Sequence, residues 1–487
     1  MNTHPNILLI FPDQHRGDWM PYPPQVLEKL GMKALELHLP NIERLMVQGV
    51  TFHECITPAP VCAPARACLA TGLKYSFSRC INNGENTPLD QATFFQVLRD
   101  GGYHVGGVGK FDLQKADREF GLDGWIPKHE MYGFDQPYTC DNAGKNAACK
   151  VATTDFYSWK NGRRVSRKIK DPDRYRAADP YLKYLEDKGL MHLHIKEQRE
   201  RSGPLAMFNT SPVSLKDEDY FDNFVGNNAL KMLDAFPRDG TPWFLWVNFV
   251  GPHDPFDVTE RMKDSIEDRY IPAPVQGNSE LEDGVVDIRR NYAAAIENID
   301  RNIGLMFEKL EERGELDNTL IIYASDHGEM LGDFSRWHKS VPFRGATRVP
   351  LIISGPGIAR GKTSDALVEM QDLTATIIEF AGLSMPSARQ SISLKPVLED
   401  PVSNSQYHRT FQTSALVPNP ATAWSLISDG KFKLILSRDS TATLIDLNQD
   451  PWEEHDISSE KPEKVEELRN LLNDTYKGSK FWDLLPK

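Results

Sequence analysis

Asn6-Ile7-Leu8-Leu9-Ile10-Phe11-Pro12-Asp13-Gln14 sets five consecutive apolar residues against a polar end. A run without polar alternation is typical of a strand buried on both faces in a parallel sheet. Its C-terminal edge carries Asp13 and Gln14, and that edge is where open α/β sheets place their ligands. Working outward, Trp243 to Val250 and Thr319 to Ala324 are runs of the same kind, and the second delivers Ser325-Asp326-His327-Gly328. Val105 to Val108 and Val349 to Ile353 read as shorter strands.

Helical stretches fall between these strands, at 41–48, 96–100, 220–235 and 372–381. The longest runs from about Val286 to Arg313, with Ala293, Ile296, Ile299, Ile303, Met306 and Leu310 on one face and Gly314 as its stop. Alternating strands and helices predict an α/β fold, a large mixed or parallel sheet sandwiched by helices. Composition shifts to Ser, Pro and Asn at about 384–422. Ala423 to Ile427, Phe432 to Ser437 and Ala442 to Asp446 then read as short strands, the first two separated by Asp429-Gly430. One helix follows Pro462, with Val465, Leu468, Leu471 and Leu472 as its apolar face. The expected division is a catalytic α/β domain over 1–400 and a smaller C-terminal α+β subdomain with an antiparallel sheet over 401–487. Periodicity is lost over about 120–215, which reads as an irregular insertion rich in aromatic and basic residues, among them Tyr157, Trp159, Arg163 and Arg164.

The chain has 487 residues, and its 56 basic and 69 acidic side chains leave a net charge of −13. Apolar residues at 40% and charged residues at 26% describe a soluble globular protein. The acidic balance disfavours nucleic acid as a partner. No run approaches the roughly 20 apolar residues of a membrane span, and Met1 to Phe11 lacks the basic segment and cleavage site of a signal peptide. The chain as given therefore reads as cytoplasmic, and as periplasmic or secreted if a leader was trimmed from it. Six scattered cysteines make no disulfide scaffold, although Cys140 and Cys149 are close enough in sequence to close a short loop.

The segment that carries chemistry is Cys62-Ala63-Pro64-Ala65-Arg66-Ala67-Cys68-Leu69-Ala70-Thr71-Gly72. A thiol beside Arg at a loop-to-helix junction is a candidate activated cysteine, because both features favour thiolate. The segment resembles the sulfatase signature, in which Cys or Ser is followed by Pro, Ser or Ala, Arg, Leu and Thr-Gly. Cys62, Pro64, Ala65, Arg66, Leu69, Thr71 and Gly72 all match it. Asp13-Gln14 resembles the family's first metal pair, where Asp-Asp is commoner, and Ser325 to Asp333 resembles its second metal segment, with His327 where some members have Asn. Gly109-Lys110-Phe111-Asp112-Leu113 resembles Gly-Lys-Trp-His-Leu, with Asp112 in place of the His. Gly251-Pro252-His253-Asp254-Pro255 matches a Pro-His-x-Pro segment, and Lys339, preceded by His338, matches the lysine after the second metal segment.

The resemblance implies an alkaline-phosphatase-like fold and a sulfatase acting on a sulfate monoester, with a sulfated carbohydrate as the expected substrate. It implies that a maturation enzyme converts Cys62 to formylglycine, whose hydrate attacks sulfur and forms a covalent sulfo-enzyme intermediate. One divalent cation is expected on Asp13, Gln14, Cys62, Asp326 and His327. Oxygen ligands point to Ca²⁺, while Gln and His leave Mn²⁺ and Mg²⁺ open. Arg66, Lys110 and Lys339 would form a cationic cradle and His253 the general acid, with Lys110, His253, His338 and Lys339 on the substrate. Asp112 either takes the proton that the family's His takes or orients Lys110. The competing readings are a phosphonate monoester or phosphodiester hydrolase of the same superfamily, and a non-catalytic protein that binds sulfated glycans.

Overall fold

A computed structural model of the chain describes all residues except 1–3, 33, 118–120, 143–155, 161–162, 168–175, 178, 202–208, 278–281, 418–421, 440, 480–481 and 487. Eight strands form the central sheet: β1 (Asn6–Ile10), β2 (Gly49–Phe52), β3 (His104–Gly109), β4 (Thr139–Asp141), β5 (Trp243–Asn248), β6 (Thr319–Ala324), β7 (Leu351–Ser354) and β8 (Lys362–Ser364). Their order is β8-β2-β7-β6-β1-β5-β3-β4. All neighbours are parallel except at β7, which runs antiparallel to both β2 and β6. The sheet is therefore mixed, as expected for the α/β class.

β1 lies at the centre, and Ile7 to Phe11 are fully buried. Its side chains alternate between two cores. Leu8 and Ile10 join the core beneath the long helix; Ile7, Leu9 and Phe11 join the core on the opposite face. This double burial is why the sequence shows no alternation there. Four helices matter to the site: α1 (Cys62–Thr71), α2 (Phe221–Ala235), α3 (Glu282–Arg313) and α4 (Asp372–Phe380). The six apolar positions spaced along α3 are all buried, Ala293 to Leu310, against the first core.

A second sheet, β9 (Gln412–Leu416), β10 (Trp424–Ser428), β11 (Phe432–Ser437) and β12 (Ala442–Asp446), is an antiparallel meander. Helix α5 (Pro462–Tyr476) packs on its two middle strands. Val465, Leu468 and Leu472 are buried there, whereas Leu471 is 37% exposed and belongs to the outer face. The core of this sheet includes Val61 and Cys68, so α1 is held between the two sheets.

The stretch over 120–215 is more ordered than its composition suggests. It contains β4, helices Pro127–Tyr132, Pro180–Asp187 and Met191–Glu200, and the hairpin Phe156–Lys160 with Arg163–Arg167. These helices are only 6, 8 and 10 residues long, too short to show a clear period, although Tyr181, Leu182 and Leu185 anchor one in the core. The proposed loop closed by Cys140 and Cys149 involves a residue, Cys149, outside the described set; Cys140 is a buried free thiol. Among the described residues, no helix is long and apolar enough to cross a membrane.

The centrality of β1 gives a direct test by chemical denaturation. Leu9→Ala, which leaves a cavity in the sheet core, is expected to destabilise the fold by about 2–5 kcal/mol. Val47→Ala, at a side chain 69% exposed, is expected to stay within about 0.5 kcal/mol of wild type.

Candidate active site

β6, β1, β5 and β3 are consecutive neighbours and parallel, so their C-terminal ends form one edge. β1 delivers Asp13 and Gln14, β6 delivers Asp326 and His327, β3 delivers Lys110, and β5 delivers Asn248 and then His253. α1 approaches this edge with Cys62 as its first residue and Arg66 one turn on, hence on the same face. Parallel strand ends and one helix N-terminus thus bring together residues up to 314 positions apart in sequence.

Asp13, Cys62, Asp326 and His327 are all buried, and each offers one ligand atom within 4.8 Å of the others. Cys62 Sγ is 3.2 Å from His327 Nε2 and 3.8 Å from Asp13 Oδ1. His327 Nδ1 lies 3.0 Å from the carbonyl of Gly328. A proton on Nδ1 donated to that carbonyl leaves the Nε2 lone pair facing the cluster, the arrangement a metal-binding imidazole needs. Two carboxylates, an imidazole and the amide oxygen of Gln14 close by form a donor set that fits a divalent cation. Gln14 adopts φ 72. Its backbone N–H donates to Asp326 Oδ1 at 3.0 Å, and its Nε2 to Glu329 Oε2 at 2.6 Å.

Arg66 is completely buried. Its Nε donates to Asp326 Oδ2 at 2.9 Å and its Nη1 to Asn248 Oδ1 at 2.8 Å, while Nη2 stands 3.7 Å from Asp13 Oδ2. The rings of Phe11 and Trp246 flank its guanidinium at 5.2 and 5.8 Å. These contacts turn Arg66 toward the carboxylates rather than toward the open side of the cleft. It underlies the carboxylates, holding them in place from inside the protein.

Lys110 follows Gly109, whose φ of 92 and contact with β5 exclude a side chain: a Cβ there would lie 1.9 Å from the Asn248 carbonyl oxygen. Lys110 Nζ ion-pairs with Asp13, stands 3.5 Å from Cys62 Sγ and 3.5 Å from Asp112 Oδ2. Asp112 also pairs with Lys115. Burial would raise the Asp112 carboxyl, but Lys110 and Lys115 outweigh it and hold the group below its ordinary range. Burial likewise opposes ionisation of the Cys62 thiol, and Lys110, Lys115 and Lys339 overcome it, leaving the thiol well below its ordinary range.

On the opposite side, Lys339 Nζ bonds to Gln14 Oε1 and lies 2.7 Å from His253 Nε2. His253 Nδ1 is 2.6 Å from the Asp254 carbonyl and 3.1 Å from its carboxylate. His338 Nδ1 approaches the same carboxylate at 3.4 Å, with its side chain 47% exposed. It therefore marks the rim, whereas Lys110, His253 and Lys339 line the interior.

All eleven expected site residues converge on this one edge, directly or through a single intervening side chain. Four further residues shape it: Lys115, Asn248, Asp254 and Glu329. Asp254 and Glu329 lie inside segments already singled out by motif. Glu329 is fully buried and accepts from Gln14 and from the backbone N–H of His338 and Leu331, so it couples both metal segments to the Lys339 loop. Lys115 and Asn248 carry no sequence signal of their own, being placed only by the turn after β3 and the end of β5.

The sulfatase family profile matches residues 5–383. The profile for the C-terminal region of N-sulphoglucosamine sulphohydrolase matches residues 332–478. The chain is similar to an arylsulfatase of Clostridium perfringens, 26% identical over 497 residues and covering 96% of this chain and 93% of the relative. It is also similar to an N-acetylglucosamine-6-O-sulfatase of Bacteroides thetaiotaomicron, 26% identical over 517 residues, covering 97% and 86%. Among solved structures, the phosphonate monoester hydrolase of Agrobacterium radiobacter shares the fold, with a TM-score of 0.73 at 21% identity over 97% of this chain and 95% of that one. With the signature at Cys62–Gly72 seated on the strand-end edge and the family profile spanning most of the length, the chain belongs to the sulfatase family.

Proposed function

We propose that the protein hydrolyses sulfate monoesters of a carbohydrate at Cys62 after its conversion to formylglycine. The observation that carries this reading is the position of Cys62 Sγ, within 3.8 Å of Asp13, His327 and Lys110 at the edge that also gathers Lys339 and His253. The N-acetylglucosamine-6-O-sulfatase relative supports a sugar as the acceptor.

Asp13, Gln14, Asp326 and His327 would hold a divalent cation. Their oxygen-rich character favours Ca²⁺, and the imidazole also admits Mn²⁺ or Mg²⁺. Such a cation, when bound, makes a hydroxyl on the modified residue easier to deprotonate and neutralises charge on sulfate oxygens. Lys110 and Lys339 flank the same position from two sides, so their ammonium groups are preorganised for the non-bridging oxygens as charge develops. Each is held by neighbours: Lys110 by Asp13 and Asp112, Lys339 by Gln14 and His253.

With Lys339 Nζ donating to its Nε2, His253 would act together with Lys339 in protonating the departing sugar oxygen, giving up a proton on Nε2 that the lysine ammonium supplies. Asp254 fixes its Nδ1 side, leaving Nε2 toward the interior. Asp112, ionised between Lys110 and Lys115, orients Lys110 and balances its charge. An ionised, lysine-clamped carboxylate is a weak base, so the orienting role fits better than the proton-accepting one. Every residue of α1 is buried. The maturation enzyme that converts Cys62 must therefore reach the segment before α1 packs.

The competing phosphonate ester reading shares this fold, as the phosphonate monoester hydrolase structure shows for its own chain. Comparing kcat/KM on a sugar sulfate with kcat/KM on a phosphonate monoester separates the two. The sulfate ester is expected to be preferred, and a preference for the phosphonate would overturn the assignment. His253→Ala is expected to lower kcat on a sugar sulfate by about 10²–10⁴. On nitrophenyl sulfate, whose leaving group departs without a proton, the loss should be far smaller. Equal losses on both substrates would remove the acid role from His253.

A further inference from the structure

A second pocket lies where the C-terminal sheet meets the catalytic unit, and none of the active-site residues lines it. Its cavity is about 80 Å³, with Lys29, Glu54, Arg344, Arg348, Lys433 and Glu453 in its wall. At roughly 10–15 Å³ per water, it has room for several waters or one small polyatomic ion.

The charges around it do not close. Arg344 is 8% exposed, yet its guanidinium makes no ion pair with a carboxylate among the described residues, Asp18 and Glu453 acting on it only from a distance. Nη1 donates to the carbonyls of Leu30, at 3.4 Å, and Pro451, and the group lies 4.4 Å over the Trp452 ring. Its Nε and Nη2 are buried without any partner. Arg348, equally buried, reaches Glu54 only at 3.4 Å through Nη2, and its Nε also has no partner. The other charges are committed elsewhere. Lys433 bonds to Glu453 at 2.7 Å, Lys29 to Asp365 at 2.9 Å, and nearby Asp18 to Arg16 at 2.7 Å. Burial and the field of Arg348 together hold Arg344 below the usual guanidinium range. A buried guanidinium short of a counter-ion is costly, and two such side chains, Arg344 and Arg348, in the wall of one small cavity describe a receptor for an anion.

We propose that this pocket binds a small tetrahedral oxyanion, sulfate or phosphate, between Arg344 and Arg348, tying the C-terminal sheet to the catalytic unit. The tie has a short route to the active site. Arg344 begins the helical turn Arg344–Thr347. The N–H of Gly328, next to His327, donates to the Ala346 carbonyl at 2.8 Å, and a Cβ on Gly328 would lie 2.0 Å from the Gly345 carbonyl oxygen. The turn that carries Arg344 is thus the seat of the loop carrying Asp326 and His327. Inorganic sulfate is the product of the proposed reaction. The natural occupant of the pocket rests on that reading, and its anion chemistry does not.

The test is backbone amide exchange on the matured enzyme with inorganic sulfate or inorganic phosphate added. Either anion is expected to slow exchange over residues 344–348, and Arg344→Gln is expected to lose that protection while exchange in the central sheet stays unchanged. If Arg344→Gln does not fold, Arg348→Gln gives the same reading with the Trp452 stack intact. Protection by sulfate alone identifies the reaction product as the occupant; protection by phosphate alone identifies phosphate. No protection from either anion, or protection that survives both substitutions, overturns the proposal. Because the readout is local to 344–348, failure of the sulfatase reading would leave it unchanged.

Discussion

The buried contact between Arg66 and Asp326 is the interaction on which the rest of the site depends. Asp13 and Asp326 are carboxylates with no solvent exposure, brought together at the ends of two adjacent strands. Unopposed, they would repel each other in a low-dielectric interior. Arg66 satisfies Asp326 directly, approaches Asp13, and is fixed in turn by Asn248 and the Phe11 and Trp246 rings. Removing one partner of such a buried network costs about 3–5 kcal/mol, chiefly because the other charge is left stranded. Arg66 also belongs to the helix that begins at Cys62. One ion pair therefore fixes both the carboxylates and the residue they surround.

The architecture explains why a protein of net charge −13 suits an anionic substrate. Net charge governs solubility and long-range steering, whereas binding is decided by the local field of the cleft. Lys110 and Lys115, from the turn after β3, and Lys339, from the loop after β6, converge on Cys62, each balanced by an acidic or amide partner. The acidic surplus lies mainly on the outside, with Asp and Glu side chains such as Glu454 and Glu463 on exposed segments. The same local logic marks the second pocket, where two arginines remain under-balanced.

Much of this was legible in the sequence because the site is built from strand ends. β1 and β6 show as uninterrupted apolar runs, and Asp13, Gln14, Asp326 and His327 follow them at once. The signature at Cys62–Gly72 marked Cys62 and the helix that begins there. What stayed hidden depends on contacts made across the chain. Arg66 carries the same motif whether it faces substrate or the interior, and only the packing of α1 between two sheets sends it inward. Asp112 gained its meaning from Lys115, whose partnership is made by a tight turn with Asp112 at φ 56. The helices Pro180–Asp187 and Met191–Glu200 are short, and Tyr181 and Ile195 find their core only in the assembled fold. Arg344 and Arg348 gave no signal at all, since their shortage of counter-ions exists only after the C-terminal sheet closes over them.

The central claim, that Cys62 is the precursor of the nucleophile, is tested most directly by mass spectrometry of the Cys62 peptide from active enzyme purified from its native host. Formylglycine is expected at Cys62, detectable as an aldehyde. An unmodified thiol at Cys62 in fully active enzyme would contradict it.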